Sequence, residues 1–278
     1  MLNLGCHLSI SDGFENAGRT ALEIGANTFQ FFSRNPQGGA AKKINSEDSN
    51  KLRDIMNENG FAPILAHSPY TINFCSGESR IRDFARIAFG DDLKRISELP
   101  CHLYNLHPGS HVGQGIGKGI EMISEILNEY ITEDLGVYVL LETMSGKGSE
   151  VGSRFEELRE IRDRVIHKKW VGICIDSCHI YSAGYDIVSD PDRVFTELDN
   201  VIGTDRIMAL HLNDSKYGFN SKKDRHEKLG EGTLGTDALM RFITHEAVKG
   251  IPILLETPNE VEGYKREIEL IKSITGDN

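Results

Sequence analysis

The chain has 278 residues, 39% hydrophobic and 26% charged, with a formal charge of −11. The length allows two ordinary domains or one large α/β barrel, and the composition is that of a soluble globular protein. No apolar run approaches the roughly 18 residues of a membrane span, MLNLGCHLSISDG lacks the basic and apolar regions of a signal peptide, and five cysteines without a CxxC pair read as reduced thiols of a cytoplasmic protein. Taken alone, the acidity argues against a nucleic-acid partner, whose phosphates call for a basic face, but it suits a protein that holds several cations.

In chain order, strand-like and helix-like segments alternate from end to end. LNLGCH (2–7) precedes a helical stripe of Phe14, Ala17, Ala21 and Ile24 that Gly25 can stop. TFQFFS (28–33) is followed by Ser46, an N-cap candidate with Glu47 and Asp48 in its first turn, and by Gly60 as a stop. APILAH (62–67) and LYNLH (103–107) come next, then a helix over 118–130 with Ile120, Ile123, Leu127 and Tyr130 on one face. VYVLLET (137–143), VGICID (171–176) and IMALHL (207–212) follow, then Thr236 as a second N-cap candidate. PILLET (252–257) and a helix over 261–274, carrying Val261, Tyr264, Ile268 and Ile271, complete the chain. Eight β–α pairs predict a parallel sheet closed into one (β/α)8 TIM barrel over residues 1–278, with function at the C-terminal strand ends.

Those ends carry the chemistry. The first strand closes on His7, the third on His67, the fourth on His107, the fifth on Glu142, the sixth on Asp176, the seventh on His211 and the eighth on Glu256; the second is the exception. Gathered at one mouth, such groups cannot all satisfy one another, and the carboxylates repel unless cations lie among them. Imidazole with carboxylate suits Zn²⁺, Mn²⁺ or Fe²⁺ better than Mg²⁺ or Ca²⁺. His179, three residues past Asp176, extends the ring. In the loop YGFNSKKDRHEKLGEG (217–232), Asp224 and His226 lie two apart and point to one side of an extended backbone. With His179 they make a three-ligand set with an open position. Cys174 and Cys178 read as buried packing residues.

AHSPYTIN (66–73), NLHPGSH (105–111), LLETMSGKGSEVG (140–152), CIDSCHIYSAGYD (174–186), ALHLNDSK (209–216), DRHEKLGEG (224–232) and LLETP (254–258) run in order along nearly the whole chain. Together they resemble the endonuclease IV family, trinuclear-zinc apurinic/apyrimidinic endonucleases on a (β/α)8 barrel. The resemblance implies three Zn²⁺, with Mn²⁺ possible at one position. One is held by His67, His107 and Glu142; a second by Glu142, Asp176, His211 and Glu256; a third by His179, Asp224 and His226. It also implies hydrolysis of the phosphodiester 5′ to an abasic site in double-stranded DNA, leaving a 3′-hydroxyl and a 5′-deoxyribose phosphate, and removal of 3′ blocking groups. Glu142 and Glu256 are the implied catalytic carboxylates, Glu142 bridging two ions and Glu256 orienting the attacking water. The abasic nucleotide would be flipped out of the duplex.

Three divalent ions bring the formal charge to −11 + 6 = −5. Basic residues gather in the expected rim loops: Arg34, Lys42 and Lys43, then Lys147, then Lys216, Lys222, Lys223 and Arg225. They are candidates for phosphate contacts. Tyr70 matches a DNA-inserting residue of the family. In SRNPQGGAAKK (33–43), Gln37 stands where the family carries a wedging Arg, and glycines follow where a Trp is common. Ser145 replaces a common Ala, and His7 and His111 are candidates for outer contacts to the ligands or for phosphate contacts, rather than for ligation. A monomer is expected, because one chain supplies every ligand. Two rivals are a xylose-isomerase-like sugar isomerase or epimerase, which has no use for the His179, Asp224 and His226 set, and a lesion-binding module that does not cut.

Overall fold

The alternating segments form a ring of parallel strands with helices outside it. The computed structural model describes residues 2–36, 41 and 43–277. In chain order the elements are β1 (Asn3–Cys6), α1 (Phe14–Glu23), β2 (Gln30–Phe32), α2 (Ser46–Glu58), β3 (Leu65–His67), α3 (Ser79–Ile96), β4 (Leu103–Leu106), α4 (Ile116–Tyr130), β5 (Tyr138–Glu142), α5 (Phe155–Asp163), β6 (Val171–Asp176), α6 (Ser177–Ala183), α7 (Pro191–Val201), β7 (Ile207–His211), β8 (Asp214–Ser215), β9 (His226–Glu227), α8 (Thr236–Ile243), β10 (Pro252–Leu255) and α9 (Val261–Thr275). The large sheet has the order β1-β10-β7-β6-β5-β4-β3-β2. A parallel bridge between His7 and Gln30, with the Leu8 N–H donating to the Gln30 carbonyl at 2.8 Å, joins its two ends. The predicted (β/α)8 barrel is therefore the observed one, and each barrel strand falls inside its predicted segment. Among the described residues, no helix is long and apolar enough to cross a membrane.

The period of two along each strand sorts side chains between two apolar layers. Leu65, Leu103, Leu140, Cys174, Ala209 and Leu254 form a small cluster of their own inside the barrel. The larger core lies between strands and helices and includes Leu4, Phe29, Phe31, Ala66, Tyr104, Leu141, Ile175 and Leu255. Cys174 is thus a floor residue, and both Cys174 and Cys178 are fully buried free thiols.

Two helix caps differ from expectation by one residue, and α4 begins at Ile116, two residues before its expected start. The N-cap of α2 is Asn45, whose side chain accepts the Glu47 N–H, and Gly235 rather than Thr236 precedes α8. Asp48 serves another helix. Its carboxylate accepts the Phe14 and Glu15 N–H groups at 2.7 and 2.9 Å, capping α1, whose own N-cap position is Gly13. A side chain at Gly13 would press on that carboxylate, with a Cβ 3.0 Å from Asp48 Oδ1. Gly25 and Gly60 stop their helices with φ of +77° and +63°, as expected. Val261 opens α9 exposed, whereas Tyr264, Ile268 and Ile271 are buried.

Candidate metal centre

Two residues above each floor position, the same strand face carries a polar group. Leu65 is followed by His67, Leu140 by Glu142, Cys174 by Asp176, Ala209 by His211 and Leu254 by Glu256. Strand register fixes their relative heights: Asp176 pairs directly with His211, whereas Glu142 pairs with the floor residue Cys174, one step of the stagger between neighbouring strands. The barrel thus presents a polar layer on an apolar floor, at the end where such folds place their chemistry.

Glu142 stands at the centre of this layer and is fully buried. Its Oε2 lies 3.2 Å from His67 Nε2 and 3.3 Å from His107 Nε2. Its Oε1 lies 3.2 Å from both His211 Nδ1 and His179 Nδ1. One carboxylate therefore faces two groups of donors. His67, His107 and Glu142 form one set with donor atoms within 4.8 Å of one another, and Glu142, Asp176, His211 and Glu256 form a second. Asp176, His179 and His226 form a third. Asp224 joins that set from the loop side, its Oδ1 3.2 Å from His179 Nε2 and 3.8 Å from His226 Nε2. All nine residues expected to ligate are brought together, and Asp176 sits between the second and third groups.

Local folding explains how α6 reaches the centre. Asp176 ends β6 and is also the N-cap of α6, its Oδ1 accepting the His179 N–H at 2.7 Å. The same bond that starts the helix turns His179 toward the mouth. Outer partners then orient the rings. His67 Nδ1 contacts the Ser68 carbonyl at 2.7 Å, His179 Nδ1 the Thr143 carbonyl at 2.9 Å, and His226 Nδ1 the Glu256 carbonyl at 3.2 Å. His211 is turned the other way, with Nε2 at 2.7 Å from Gln30 Oε1 and Nδ1 toward the centre. Tying one ring nitrogen to an acceptor leaves the other as a lone-pair donor, the usual arrangement of ligating histidines.

Two buried nitrogens, His179 Nε2 and His226 Nε2, have no hydrogen-bond partner. A buried polar atom left unpaired is costly, and here two of them face Asp176 and Asp224 together. Borderline divalent cations such as Zn²⁺ take this mixture of imidazole and carboxylate, so the donor set fits a metal.

The charges are strongly coupled. Burial would raise the Glu142 carboxyl, but His211 and His107 hold it well below the ordinary carboxylate range. Glu256 is likewise pulled well down against its burial, by His211 and His7. Burial opposes the charged forms of His179 and His211, yet the acids around them raise both well above the ordinary imidazole value; His107 is raised too, chiefly by Glu142. Asp224 is lowered by His179 despite its burial.

Several supporting residues carry no sequence signal as acids or imidazoles. The second strand, expected to contribute nothing, supplies Gln30, which bonds His211 through Oε1 and Glu256 Oε1 through Nε2 at 2.5 Å. Asn105 donates to Glu142 Oε2 at 2.6 Å, and Asn213 to Asp176 Oδ2 at 2.7 Å. Asn105 lies two residues before His107 and Asn213 two after His211, so the period of two could have marked both. His7 makes the expected outer contact, 2.9 Å from Gln30 Nε2 and 3.7 Å from Glu256 Oε1. His111 does not; its Nδ1 accepts the Gly115 N–H in the loop before α4.

A cavity of about 440 Å³ opens over the polar layer, lined in part by Tyr70, Lys216, Arg225 and Pro258. A neighbouring one of about 350 Å³ shares Tyr70 and Glu256 with it. Tyr70 is 66% exposed, its ring 5.1 Å from Phe32. Lys43 and Lys147 are exposed. Lys222 and Lys223 are engaged within the protein, Lys222 Nζ on the Ala183 carbonyl at the end of α6 and Lys223 Nζ over the Tyr217 ring of its own loop. Arg34 corrects the expected phosphate contact: it is 8% exposed and turned inward, bonding Asp92 at 2.6 and 2.9 Å and Asp91 at 2.8 Å. A guanidinium locked between two acids is not presented to DNA. Gln37 and Lys42 lie outside the described residues.

Comparison with known proteins agrees with this geometry. Residues 19–274 match the family model described as a xylose isomerase-like TIM barrel. A probable endonuclease 4 of Clostridium botulinum is 57% identical over 98% of this chain and 99% of its own. A probable endonuclease 4 of Methanosphaera stadtmanae is 54% identical over 99% of each chain. The crystal structure of endonuclease IV from Thermus thermophilus superposes with a TM-score of 0.88 at 28% identity, covering 99% of this chain and all of the other. With a polar layer of this composition on a barrel matched from end to end, the chain belongs to the endonuclease IV family of apurinic/apyrimidinic endonucleases.

Proposed function

We propose that the protein cleaves double-stranded DNA at the phosphodiester 5′ to an abasic site, leaving a 3′-hydroxyl and a 5′-deoxyribose phosphate, and that it also clears 3′-blocked ends. It does so with three Zn²⁺, Mn²⁺ being possible at one position. The observation that carries this reading is Glu142, fully buried, with one oxygen toward His67 and His107 and the other toward His211 and His179. His67, His107 and Glu142 would hold the first ion, Glu142, Asp176, His211 and Glu256 the second, and His179, Asp224 and His226 the third. When bound, such ions lower the pKa of water and neutralise charge on phosphoryl and leaving oxygens.

The chain's own groups do the rest. Glu142 and Glu256 are held ionised, so either carboxylate can accept a hydrogen bond from the attacking water and orient it; Gln30 fixes Glu256 Oε1 in place. Lys216 and Arg225 line the cavity and offer cations to the flanking phosphates. Tyr70, exposed at the mouth, offers a ring to the base stack left open when the abasic nucleotide turns out, a motion made cheaper by the missing base. A single chain holds the whole donor set, which supports action as a monomer. All five cysteines are free, which suits the reducing cytoplasm.

A labelled duplex with one tetrahydrofuran abasic analogue tests the proposal. Native protein should cut once, 5′ to the lesion, and chelator-stripped protein should not cut until Zn²⁺ is restored. Binding without cutting by the fully loaded protein would favour a lesion-binding module. Neither binding nor cutting would favour a sugar isomerase or epimerase.

A further inference from the structure

Three residues past His211, Asp214 is fully buried and lies outside the donor set described above. Its carboxylate accepts five backbone N–H groups. Ser215 and Leu234 donate to Oδ1 at 2.7 and 2.9 Å; Gly230, Gly232 and Gly235 donate to Oδ2 at 3.0, 3.2 and 3.2 Å. A concave run of N–H groups of this kind ordinarily cradles an anion, and here the anion is a side chain of the same chain. Bonds to an ionised acceptor are stronger than neutral ones, so the cluster is a firm junction.

The junction explains the glycines of LGEGTLG (229–235). A Cβ at Gly232 would stand 2.4 Å from Asp214 Oδ1 and 2.6 Å from the Ser215 carbonyl oxygen. Gly230 and Gly235 have φ of +79° and +78°, a region that L side chains adopt at a cost. The segment must run without side chains at these points for its N–H groups to converge.

What the junction holds is the loop that carries Asp224 and His226. Asp214 belongs to β8, which pairs antiparallel with β9, Ser215 opposite His226 and Asp214 opposite Glu227. The segment beyond β9 then folds back and is fastened to the same carboxylate, with Thr233 N–H also donating to the Ser215 carbonyl at 2.8 Å. His226 is therefore held on one side by its pairing with β8 and followed on the other by a segment fastened to the Asp214 carboxylate. We infer that Asp214 is the positioning residue of the third ion site: its carboxylate closes the loop so that His226 and Asp224 meet His179, and its loss selectively releases the third ion. This rests on the three-ion reading proposed above.

The test compares the wild type with Asp214→Asn, which keeps the shape of the side chain but replaces one acceptor oxygen by a donor amide. Each protein is stripped, titrated with Zn²⁺, and analysed for bound metal after gel filtration; amide hydrogen exchange is followed over 228–235. The expected result is three ions on the wild type and two on Asp214→Asn, with the third site weakened at least about tenfold and the two tighter sites unchanged. Exchange at Gly230, Gly232 and Leu234 should quicken at least about tenfold. On the abasic duplex, kcat should fall while KM stays within about twofold. Three ions held by Asp214→Asn with wild-type affinity would overturn the inference. Fewer than three on the wild type would instead overturn the three-ion reading, and the inference with it. If Asp214→Asn does not fold, Gly232→Ala decides by the same measurements, since its Cβ displaces the loop while the carboxylate remains.

Discussion

The mouth of the barrel is built in two ways. His67, His107, Glu142, Asp176, His211 and Glu256 stand on strands or one residue beyond them, in a layer whose height is set by strand register. Asp224 and His226 stand on a loop that leaves the barrel after β7 and returns before α8. A strand-borne ligand is positioned by the ladder on both sides and by the apolar floor below it. A loop-borne one has no floor and at most the two-residue ladder of β8 and β9, and here a buried carboxylate with five N–H donors adds the missing support. The contrast teaches that the residues supporting a site are as specific as the site itself, and differ in kind with the element that carries it.

The largest effect should come from the strand-borne part. Glu142→Gln alters the group that faces both the His67–His107 and the His211 sets, so abasic-site cleavage should fall by about 10⁴-fold or more, with at least one ion lost in metal analysis. Retention of near-native cleavage would break the idea of a shared carboxylate. His226→Ala attacks the loop-borne part. It should lose one ion while keeping two, and cleavage should fall by roughly 10²- to 10³-fold, the scale of removing one charge-stabilising element. If all ions left together, the two parts would not be independent.

A pH series sharpens the comparison for the barrel-borne groups. In stripped protein, His107, His179 and His211 are raised, so the stability they contribute is complete below about pH 6.5 and lost as pH climbs through their raised values. Glu142 and Glu256 are lowered; their contribution is present above about pH 4.3 and lost only as pH falls through the lowered values. The melting temperature of stripped protein should therefore fall as pH rises above about 6.5. Zn²⁺ needs neutral imidazoles, so loaded protein should gain stability over the same interval. Parallel curves would mean that these histidines do not take up the ion. The smallest effect belongs to the rim: Tyr70→Ala should weaken binding to the abasic duplex about tenfold, the scale of one lost stacking contact, and leave metal content unchanged.

The strand-borne part was legible in the sequence because it follows a local rule. An apolar run of period two, ending in His, Asp or Glu, needs no knowledge of other segments, and the runs at β3, β5, β6 and β7 ended as expected. Helix ends were legible to within two residues: Asn45 and Gly235 displaced the neighbouring Ser46 and Thr236 as caps, and α4 began two residues early. Arg34 was misread because a basic residue in a rim loop gives no sign of the two acids on α3 that bind it. Gln30 was missed because an amide on an apolar strand is chemically silent until His211 and Glu256 are placed beside it.

Composition and periodicity were enough for the barrel and its functional end, because these depend on residues a few positions apart, and the order of motifs was enough to name the nine side chains that meet at its mouth. Which histidine turns Nδ1 rather than Nε2 inward, and what anchors the loop of Asp224 and His226, were decided only by closure of the barrel. Those contacts join residues up to 226 positions apart, as between Gln30 and Glu256, and distances of that kind have no period for a sequence to display.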